Sequence, residues 1–357
     1  MKKILHVVRS FNNGGTEKYI MNLLKNTYKE YDNYILIYEN ITYGREELEQ
    51  MGIKIIQLKD INKEGVVDKI KFIRSFVKIN QIDVVYSYTY YNSAYVMLAA
   101  FLGKVKKRIT HAHRSASEQR RTLKYNIYIF LSKILISLFS TDCLACGLDA
   151  GKSLFYKKFK VINNGIELEK YKFNNEKRNL IRKEFNISDD DIVIGTIGRL
   201  DKNKNQIFMI KVFEKYHKEN TNSKLLIIGE GEQKNDLKEL IRNLKIEDVV
   251  ILLGNREDAN ELYNAFDLFM LTSIKEGLPF VLIEAQANGL NSIVSDSVDK
   301  NADISNSIKF VSLDDDISKW LETIKKEKFI RKDNIKKIIE KGYSLESSIK
   351  SVMEIYG

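Results

Sequence analysis

Two glutamates eight positions apart flank the single proline of this 357-residue chain. Glu276 stands before Gly277 and Pro279, and Glu284 follows in the segment that this proline is expected to open as a helix. Proline suits the first turn of a helix, and the free N–H groups at a helix start bind phosphate or sugar oxygens. Glu276 would then lie at the mouth of the loop, and Glu284, set among apolar residues, could accept both hydroxyls of a ribose. The structural alternative is a solvated loop glutamate and an ordinary helix glutamate.

Two cations follow an apolar, strand-like run. Arg199 and Lys204 lie in the polar stretch after residues 192–198. In α/β sheets, the loops at the carboxyl ends of strands bind ligands. Cations at such a place suit a diphosphate and would stabilise it as a leaving group. The alternative is that both are ordinary surface charges.

The segment 275–284 resembles the E-x7-E motif of retaining GT-B glycosyltransferases, specifically those of family 4. The stretch 198–206 is similar to that family's G-R-L…K…Q segment. The resemblance implies that the carboxylates hold the sugar and the ribose, and that the two cations hold the diphosphate. The catalytic residues it implies are Glu276, His113, Arg199 and Lys204, and the substrate-binding residues are Gly14, Gly15, Gly229, Arg256, Gly277, Leu278, Pro279, Phe280 and Glu284.

Further matches follow along the chain in the family's order. Gly14 and Gly15, after the first strand, are similar to the G-G-x-E loop that the family places against the donor sugar and phosphates. A glycine pair lets backbone amides approach an anion, although such a pair alone is usually a turn. Gly229 ends a run similar to the family's hydrophobic strand and glycine loop, and Arg256 follows a strand end resembling the one that holds the base. Residues 163–167 are similar to the family's N-G-[IV]-[DE] approach to the hinge.

Two histidines, His111 and His113, end a strand that follows a basic run. At spacing i, i+2 they share one strand face, which a metal site would require, but no Cys, Asp or Glu ligand is patterned nearby. Family members similar to this stretch carry a histidine that reaches the reacting sugar. The resemblance assigns that role to His113, with His111 as the alternative. His6 and His217 are expected to be structural.

Three other motifs are rejected as ligand sites. Residues 147–153 imitate a phosphate-binding P-loop but are one residue short of its spacing. The aspartate triplets 189–191 and 314–316 contain the D-x-D pattern of metal-dependent GT-A glycosyltransferases, but both fit polar loops at helix boundaries. Cys143 and Cys146 form a C-x-x-C without a second pair for zinc, so we expect no redox or metal role. The sequence therefore predicts no metal and no cofactor, with the nucleotide sugar as a co-substrate.

Apolar runs alternate with helical segments from end to end, which indicates parallel sheets covered on both faces. Two such series predict an α/β protein with two Rossmann-like domains, and the resemblance implies the GT-B class, in which the sheets face a central cleft. The predicted domains are 1–170 on the acceptor side, 171–342 for the nucleotide sugar, and a C-terminal helix, 343–357, that returns to the N-terminal domain. The predicted strands are Ile4–Val8, Tyr34–Tyr38, Ile53–Gln57, Ile82–Tyr86, Arg108–Ala112, Asp142–Ala145, Lys160–Ile162, Ile192–Gly198, Lys224–Ile228, Val249–Leu252, Leu268–Leu271, Ser292–Ser295 and Lys309–Val311.

The net charge of +10 is distributed unevenly along the chain. Residues 1–172 hold 29 Lys and Arg against 16 Asp and Glu, a net of +13, so the remainder carries −3. No nucleic-acid motif accompanies the basic half, and nucleic-acid binding is not expected. The apolar segment 125–139 predicts either a helix of the N-domain core or an interfacial helix that docks on an anionic leaflet beside flanking cations.

These patterns and the resemblance together predict a metal-independent, retaining hexosyltransferase. It would move a hexose or N-acetylhexosamine from a nucleotide sugar, with UDP expected, to a lipid-linked or polysaccharide acceptor in bacterial capsule, exopolysaccharide or cell-surface glycan synthesis. The N-terminal residues enter a strand at once and lack a signal-peptide pattern, so we expect a cytoplasmic protein in peripheral contact with the inner membrane face. Two alternatives stay open: a non-catalytic GT-B-like partner subunit, and a related sugar-nucleotide epimerase or phosphorylase.

Overall fold

The computed structural model describes residues 1–12, 14–58, 65–113, 122–276 and 278–357. These residues form two compact units. Unit 1 is Met1–Gly165 with Leu345–Gly357, and unit 2 is Ile166–Ser344. Each unit is built on one sheet, and the pairings between its described strands are all parallel.

Unit 1 has a seven-stranded sheet in the order β3-β2-β1-β4-β5-β6-β7. Its strands are β1 (Lys2–Val8), β2 (Tyr31–Ile37), β3 (Lys54–Gln57), β4 (Val84–Ser87), β5 (Lys107–Ala112), β6 (Asp142–Ala145) and β7 (Lys160–Val161). Its helices are α1 (Gly15–Thr27), α2 (Arg45–Gln50), α3 (Val66–Ile79), α4 (Ser93–Leu102), α5 (Leu123–Phe139), α6 (Leu148–Leu154) and, at the C-terminus, α14 (Leu345–Tyr356).

Unit 2 has a six-stranded sheet in the order β10-β9-β8-β11-β12-β13. Its strands are β8 (Ile192–Ile197), β9 (Ser223–Ile228), β10 (Val250–Gly254), β11 (Leu268–Leu271), β12 (Asn291–Ser295) and β13 (Ile308–Val311). Its helices are α7 (Asn175–Glu184), α8 (Gln206–Glu219), α9 (Lys234–Leu244), α10 (Ala259–Leu262), α11 (Phe280–Ala287), α12 (Ile317–Lys326) and α13 (Ile335–Glu340).

Each sheet reverses its strand order once, between β1 and β4 in unit 1 and between β8 and β11 in unit 2. The connections on the two sides of such a point diverge, which leaves a crevice at the carboxyl edge of the sheet where α/β proteins bind ligands. All thirteen predicted strands are present, with bounds within three residues of those predicted. The prediction of two Rossmann-like α/β domains is confirmed.

The strands are buried on both faces, because successive side chains point to opposite sides of the sheet. In β1, Ile4 and Val8 belong to one apolar cluster, and Leu5 and Val7 belong to the cluster on the other face. Helix α14 joins the first of these clusters through Val352 and Tyr356, among others. The same alternation in unit 2 gives that sheet an apolar cluster on each face.

Helix α5 is apolar on most of its surface, yet it buries only a narrow stripe that includes Ser132 and Ile136. Leu123 is 76% exposed and Leu138 67% exposed, and the same helix also exposes Tyr125, Ile127, Tyr128, Phe130 and Leu131. The helix therefore packs against the N-domain core along one side, through Ile129, Leu135 and Ile136, and leaves its other side exposed. Within the described ranges, the helices are too short or too polar to cross a membrane.

Candidate functional site

Two of the predicted site residues meet at the switch point of unit 2. Lys204, in the loop after β8, places its Nζ 2.5 Å from Oε1 of Glu276, in the loop after β11. The two side chains are only 15% and 17% exposed. An ion pair so shielded from water is a strong charge-assisted hydrogen bond, and removing one partner leaves the other uncompensated.

The two loops that carry this ion pair are fastened to each other by backbone contacts. The side chain of Asn203 donates to the Lys275 carbonyl at 3.0 Å and accepts from the Lys275 amide at 3.2 Å. The Asn203 carbonyl accepts from the Ile274 amide at 2.7 Å. The Thr272 hydroxyl donates to the carbonyl of Asn205, a residue in the left-handed region with φ +53°. The ion pair is therefore held by rigid backbone on both sides.

Arg199, the other predicted cation, is largely in solvent. Its side chain is 81% exposed and pairs with Asp201 at 3.1 Å. An exposed ion pair of this kind contributes little to folding stability, about 0–1 kcal/mol. The backbone beneath it is ordered, because the buried Gln206 donates its amide to the Arg199 carbonyl at 2.8 Å. The guanidinium is thus an accessible cation on a fixed loop.

Gly229 occupies a position that only glycine fits. Its φ is +137°, and a Cβ added there would overlap the carbonyl of Gly198. Its amide donates to the Gly254 carbonyl at 2.8 Å. The glycine therefore brings the ends of β8, β9 and β10 together at the same edge of the sheet.

The start of α11 places the predicted sugar-binding amides. Pro279 is the residue that caps this helix, one position before the helical turn in which it was predicted. The side chains of Leu278 and Phe280 pack against the apolar cluster around Ile166 and Ile338, so these residues offer backbone rather than side chain to a ligand. The first amides of a helix lack partners in their own helix and favour anions and sugar oxygens. Gly277 lies outside the described residues.

Glu284, in the second turn of α11, is held by two phenols. Tyr171 donates to one carboxylate oxygen at 3.0 Å, and Tyr263 donates to the other at 2.6 Å. Burial, together with the nearby Glu284 carboxylate, raises the pKa of both phenols far above the physiological range, so both stay protonated donors. This arrangement argues against an idle helix glutamate.

Arg256 lies after β10, at the strand end that the resemblance associates with the base. Its guanidinium contacts both carboxylate oxygens of Asp258, at 2.7 and 2.8 Å, and that of Glu184 at 3.1 Å. The Asp258 hydrogen bonds, and secondarily Glu184, raise the pKa of Arg256. Its side chain is therefore committed to two carboxylates.

The predicted glycine pair of unit 1 opens α1. Gly14 caps the helix and Gly15 is its first residue, while Asn13 lies outside the described residues. A Cβ on Gly14 would overlap the carboxylate of Glu17, three residues ahead. Burial raises the pKa of Glu17. The carboxyl group of Glu17 therefore lies close to the backbone at this helix start.

His111 and His113 lie against each other at the carboxyl end of β5, with ring centroids 3.9 Å apart and the ring planes tilted by 41°. His111 Nδ1 is 2.7 Å from the hydroxyl of Tyr86, whereas neither ring nitrogen of His113 has a hydrogen-bond partner in the described part of the chain. Burial lowers the pKa of His113 to about 3, and burial together with His113 lowers that of His111 well below its ordinary range. His113 lines a cavity of about 260 Å³ that Glu17 and Tyr88 also line.

The rejected motifs have structural roles. Asp191 and Asp316 accept backbone amides at 2.8 Å, as turn and cap residues do. Cys143 and Cys146 are free, and burial raises the pKa of each to about 11, so both are protonated thiols at neutral pH. No group of three or more metal-ligating side chains occurs among the described residues.

Sequence reasoning missed three residues that shape the site: Tyr171, Tyr263 and Asn203. Tyr171 is 113 positions from the carboxylate it contacts, and Asn203 is 72 positions from Lys275. Such contacts carry no local spacing signal. The nearest available hint was the place of Tyr171 just after the 163–167 motif.

Comparison with known proteins shows which family and which relatives this chain resembles. Residues 177–338 match the family Glycosyl transferases group 1. The capsular polysaccharide biosynthesis glycosyltransferase CapH of Staphylococcus aureus is 29% identical over the whole chain and 99% of its own length. An Escherichia coli UDP-Gal:alpha-D-GlcNAc-diphosphoundecaprenol alpha-1,3-galactosyltransferase is 27% identical, over 78% of this chain and 76% of its own length.

Among solved structures, Anabaena HepE in complex with UDP superimposes with a TM-score of 0.81 at 17% identity, over 99% of both chains. The agreement extends over both units, and the fold class is GT-B. The sequence match covers unit 2, where the Lys204–Glu276 pair and Glu284 lie. Residues 177–338 are therefore similar to the glycosyl transferases group 1 family.

Proposed function

We propose that this chain is a retaining, metal-independent glycosyltransferase of family 4 that transfers a hexose or N-acetylhexosamine from a UDP-sugar. The observation that carries the proposal is the shielded Lys204–Glu276 ion pair at the switch point of unit 2. An α/β sheet binds ligands at this place, and an exposed cation, Arg199, lies on the same loop as Lys204.

The relatives support the choice of donor and acceptor. CapH is named for capsular polysaccharide synthesis, and the E. coli relative is named for a UDP-sugar donor and a diphosphoundecaprenol-linked acceptor. HepE was solved with UDP. We therefore propose a UDP-linked donor and a lipid-linked or polysaccharide acceptor for this chain.

In the proposed donor complex, the diphosphate takes over Lys204 from Glu276 and also draws Arg199 from Asp201. Glu276 is then released to accept hydroxyls of the donor sugar, which the amides at the start of α11 also hold. Glu284 accepts the ribose hydroxyls. The exchange keeps every charge partnered, because the ammonium gains phosphate oxygens as it loses the carboxylate.

The reaction breaks the bond between the anomeric carbon and the phosphate oxygen and forms one from that carbon to the acceptor oxygen. The acceptor attacks from the face that the leaving group vacates, and its hydroxyl proton passes to a phosphate oxygen of the departing diphosphate. Negative charge grows on that diphosphate, so cations already in place stabilise the transition state more than the ground state. We assign this electrostatic role to Lys204 and Arg199 rather than to a metal ion.

In unit 1 we assign substrate contacts to the Gly14–Gly15 turn and to His113. The depressed pKa of His113 makes it a neutral imidazole at pH 7. It would form a hydrogen bond with a sugar hydroxyl rather than act as a cationic acid. Among the described residues neither nitrogen of His113 has a hydrogen-bond partner, which favours it over His111, whose Nδ1 already lies against Tyr86.

The exposed apolar surface of α5 supports a peripheral membrane role for unit 1. Phe130 and Leu131 are 54% and 52% exposed, and Tyr156, 58% exposed, lies beside Phe130 with a ring separation of 6.4 Å. Residues 1–172 carry a net charge of +13. Apolar side chains next to excess positive charge are the features of a helix that lies in an anionic bilayer surface.

Vesicle sedimentation tests this membrane role. Wild type should bind vesicles of phosphatidylglycerol and phosphatidylethanolamine and not vesicles of phosphatidylcholine. Leu131→Asp should release it, and Leu180→Asp should not, because Leu180 is 68% exposed on α7 of unit 2 and serves as a matched surface control. Equal binding by the two variants, or none by wild type, would contradict the role.

Release of nucleoside diphosphate from a panel of nucleotide sugars, with bacterial lipid-linked glycans as acceptors, tests the transferase itself. Acceptor-dependent release of UDP is expected. Binding without turnover would favour a non-catalytic partner subunit. Conversion of the sugar nucleotide without acceptor, or turnover that needs inorganic phosphate, would instead reveal an epimerase or a phosphorylase.

A further inference from the structure

The carboxylate of Glu284 is oriented by two phenols that approach it from different segments of unit 2. Tyr263, fully buried, donates to Oε2 at 2.6 Å, and Tyr171 donates to Oε1 at 3.0 Å. Each oxygen thus receives its own donor, which fixes both the position and the rotation of the carboxylate plane. Hydrogen bonds to an ionised acceptor are the strong kind, and they hold the charged form in place.

The phenols are themselves anchored. The Tyr171 carbonyl accepts from the side-chain amide of Asn288 at 2.8 Å, and the Tyr263 carbonyl accepts from Arg331 at 3.1 Å. The two rings meet edge to face with centroids 5.9 Å apart. A side chain supported in this way holds its partner more precisely than a single hydrogen bond does.

We propose that Tyr171 and Tyr263 are positioning residues that aim Glu284 at the vicinal hydroxyls of a ribose, so that the site selects ribonucleotide over 2′-deoxyribonucleotide donors. The inference rests on the proposed function, since it assumes that the nucleotide of a sugar donor binds at α11. Tyr171 lies outside residues 177–338, so the family match does not include it.

The chemistry of a diol explains why orientation matters. A carboxylate accepts hydrogen bonds from two neighbouring hydroxyls when each of its oxygens faces one of them. An ionised carboxylate has about four acceptor positions. Two phenol donors are therefore compatible with a bound diol. A 2′-deoxyribose leaves one of these positions without its donor, and polar groups left unpaired are the strongest source of discrimination between similar ligands.

A purely structural role is the alternative, in which the phenols only satisfy a half-buried charge. Both roles predict that Tyr263→Phe and Tyr171→Phe lower the melting temperature. They differ in the ratio of affinities for ribo- and deoxyribonucleotides, which a stability defect does not change. That ratio is therefore the decisive measurement.

Calorimetric titration with UDP and with 2′-deoxyUDP tests the proposal on the full chain. Wild type should prefer UDP by at least about tenfold, the scale of one charged hydrogen bond. Each Tyr→Phe variant should lower that preference several-fold, mainly through weaker UDP binding, and the double variant should nearly abolish it. Tyr216→Phe is the control, because Tyr216 is buried on α8 in the other core cluster of unit 2.

The outcomes distinguish failure of the positioning role from failure of the proposed function. A wild type that prefers UDP while both variants keep the full preference overturns the positioning role and leaves the proposed function standing. A wild type that binds no nucleoside diphosphate, including GDP, ADP and CDP, overturns both. Loss of the preference in Tyr216→Phe as well would show a general packing effect and would also overturn the positioning role.

Discussion

The carboxyl edges of the two sheets share a topology but differ in chemistry. In unit 2 that edge is charged and paired: Lys204 bonds Glu276, and Arg199 bonds Asp201. In unit 1 the corresponding edge has an exposed ion pair, Arg9–Glu39, beside a group of aromatic rings in which His111 and His113 lie among tyrosines. The depressed pKa values of these two histidines keep both imidazole rings neutral at neutral pH.

Strand order thus sets where a site lies in each unit, and the loop residues set what that site binds. Fixed cations suit a ligand whose charge grows during a reaction. Neutral imidazole rings suit hydroxyl groups, which need hydrogen bonds but no counter-charge. We therefore expect the unit 2 edge to bind the nucleotide diphosphate and the unit 1 edge to contact sugar.

The largest expected effect on transfer comes from neutralising the carboxylate of Glu276 in the Lys204–Glu276 ion pair. Glu276→Gln keeps the size of the side chain and an acceptor for Lys204, so the fold should persist. Transfer should fall by about 10²–10³-fold, the scale of losing one preorganised electrostatic contact. Initial rates with the identified donor provide the measurement, and Glu247→Gln, at an exposed position of the same unit, is the control. Wild-type turnover by Glu276→Gln would refute the assignment.

Acid should destabilise unit 1 before unit 2. Burial lowers the pKa of His6 to about 4 and that of His113 to about 3, so the folded state stays unprotonated where the unfolded chain takes up protons. Stability is then complete above pH 6.5 and is lost as the pH falls towards 4, by on the order of 3 kcal/mol for His6 alone. Glu17, with its raised pKa, acts in the opposite direction.

Hydrogen exchange at stepwise lower pH measures this difference between the units. Amides of β1, β4 and β5 should lose protection at a higher pH than those of β8 and β11. His113→Gln should flatten the pH dependence of unit 1 by removing one protonation site. Simultaneous loss of protection in both units, with no effect of that variant, would contradict the contrast.

A glycine-to-alanine substitution should lower the unfolding free energy more in unit 2 than in unit 1, although by less than the effects above. Gly229→Ala places a methyl group against the Gly198 carbonyl at a φ of +137° and should cost about 2 kcal/mol of unfolding free energy. Gly147→Ala in unit 1 is the matched control, since its backbone is extended and a Cβ there meets nothing within 4 Å. Urea denaturation of the two variants measures the difference, and equal stability would count against the close approach of β8 and β9.

The smallest effect on stability is expected at Arg199. Arg199→Ala removes an exposed ion pair and should change the unfolding free energy by less than about 0.5 kcal/mol. UDP affinity should nevertheless fall about fivefold at low salt and less at high salt, because an exposed cation is screened. Arg45→Ala, which removes a comparable exposed pair with Glu49 on α2, should leave UDP affinity unchanged. An unchanged affinity in Arg199→Ala would remove Arg199 from the donor site.

The sheets were predictable because the signal for them is local. Buried parallel strands are continuous apolar runs, and the runs at 142–145 and 268–271 coincide with β6 and β11. The start of α11 was predictable for the same reason, since a proline marks a helix boundary through its own ring. The local sequence was therefore enough to predict where the strands end and where the site loops begin.

The contacts inside the site were not predictable, because they join distant segments. Glu276 was expected to hold sugar and Lys204 phosphate, yet in the structure they bond each other across 72 positions. The exposed side of α5 could not be predicted either. A helix that is apolar on nearly all sides has no amphipathic pattern to indicate which side is buried. Tertiary packing alone decides such points.

Hydrogen exchange of the whole chain with and without saturating UDP locates the nucleotide site. We predict new protection in the loop after β8 around residues 198–205, in the loop after β11, and at the start of α11. Arg45→Ala should reproduce that pattern, and Glu284→Gln should weaken it. Protection confined to other segments, or none at UDP concentrations in the millimolar range, would contradict a nucleotide-sugar site at the carboxyl edge of unit 2.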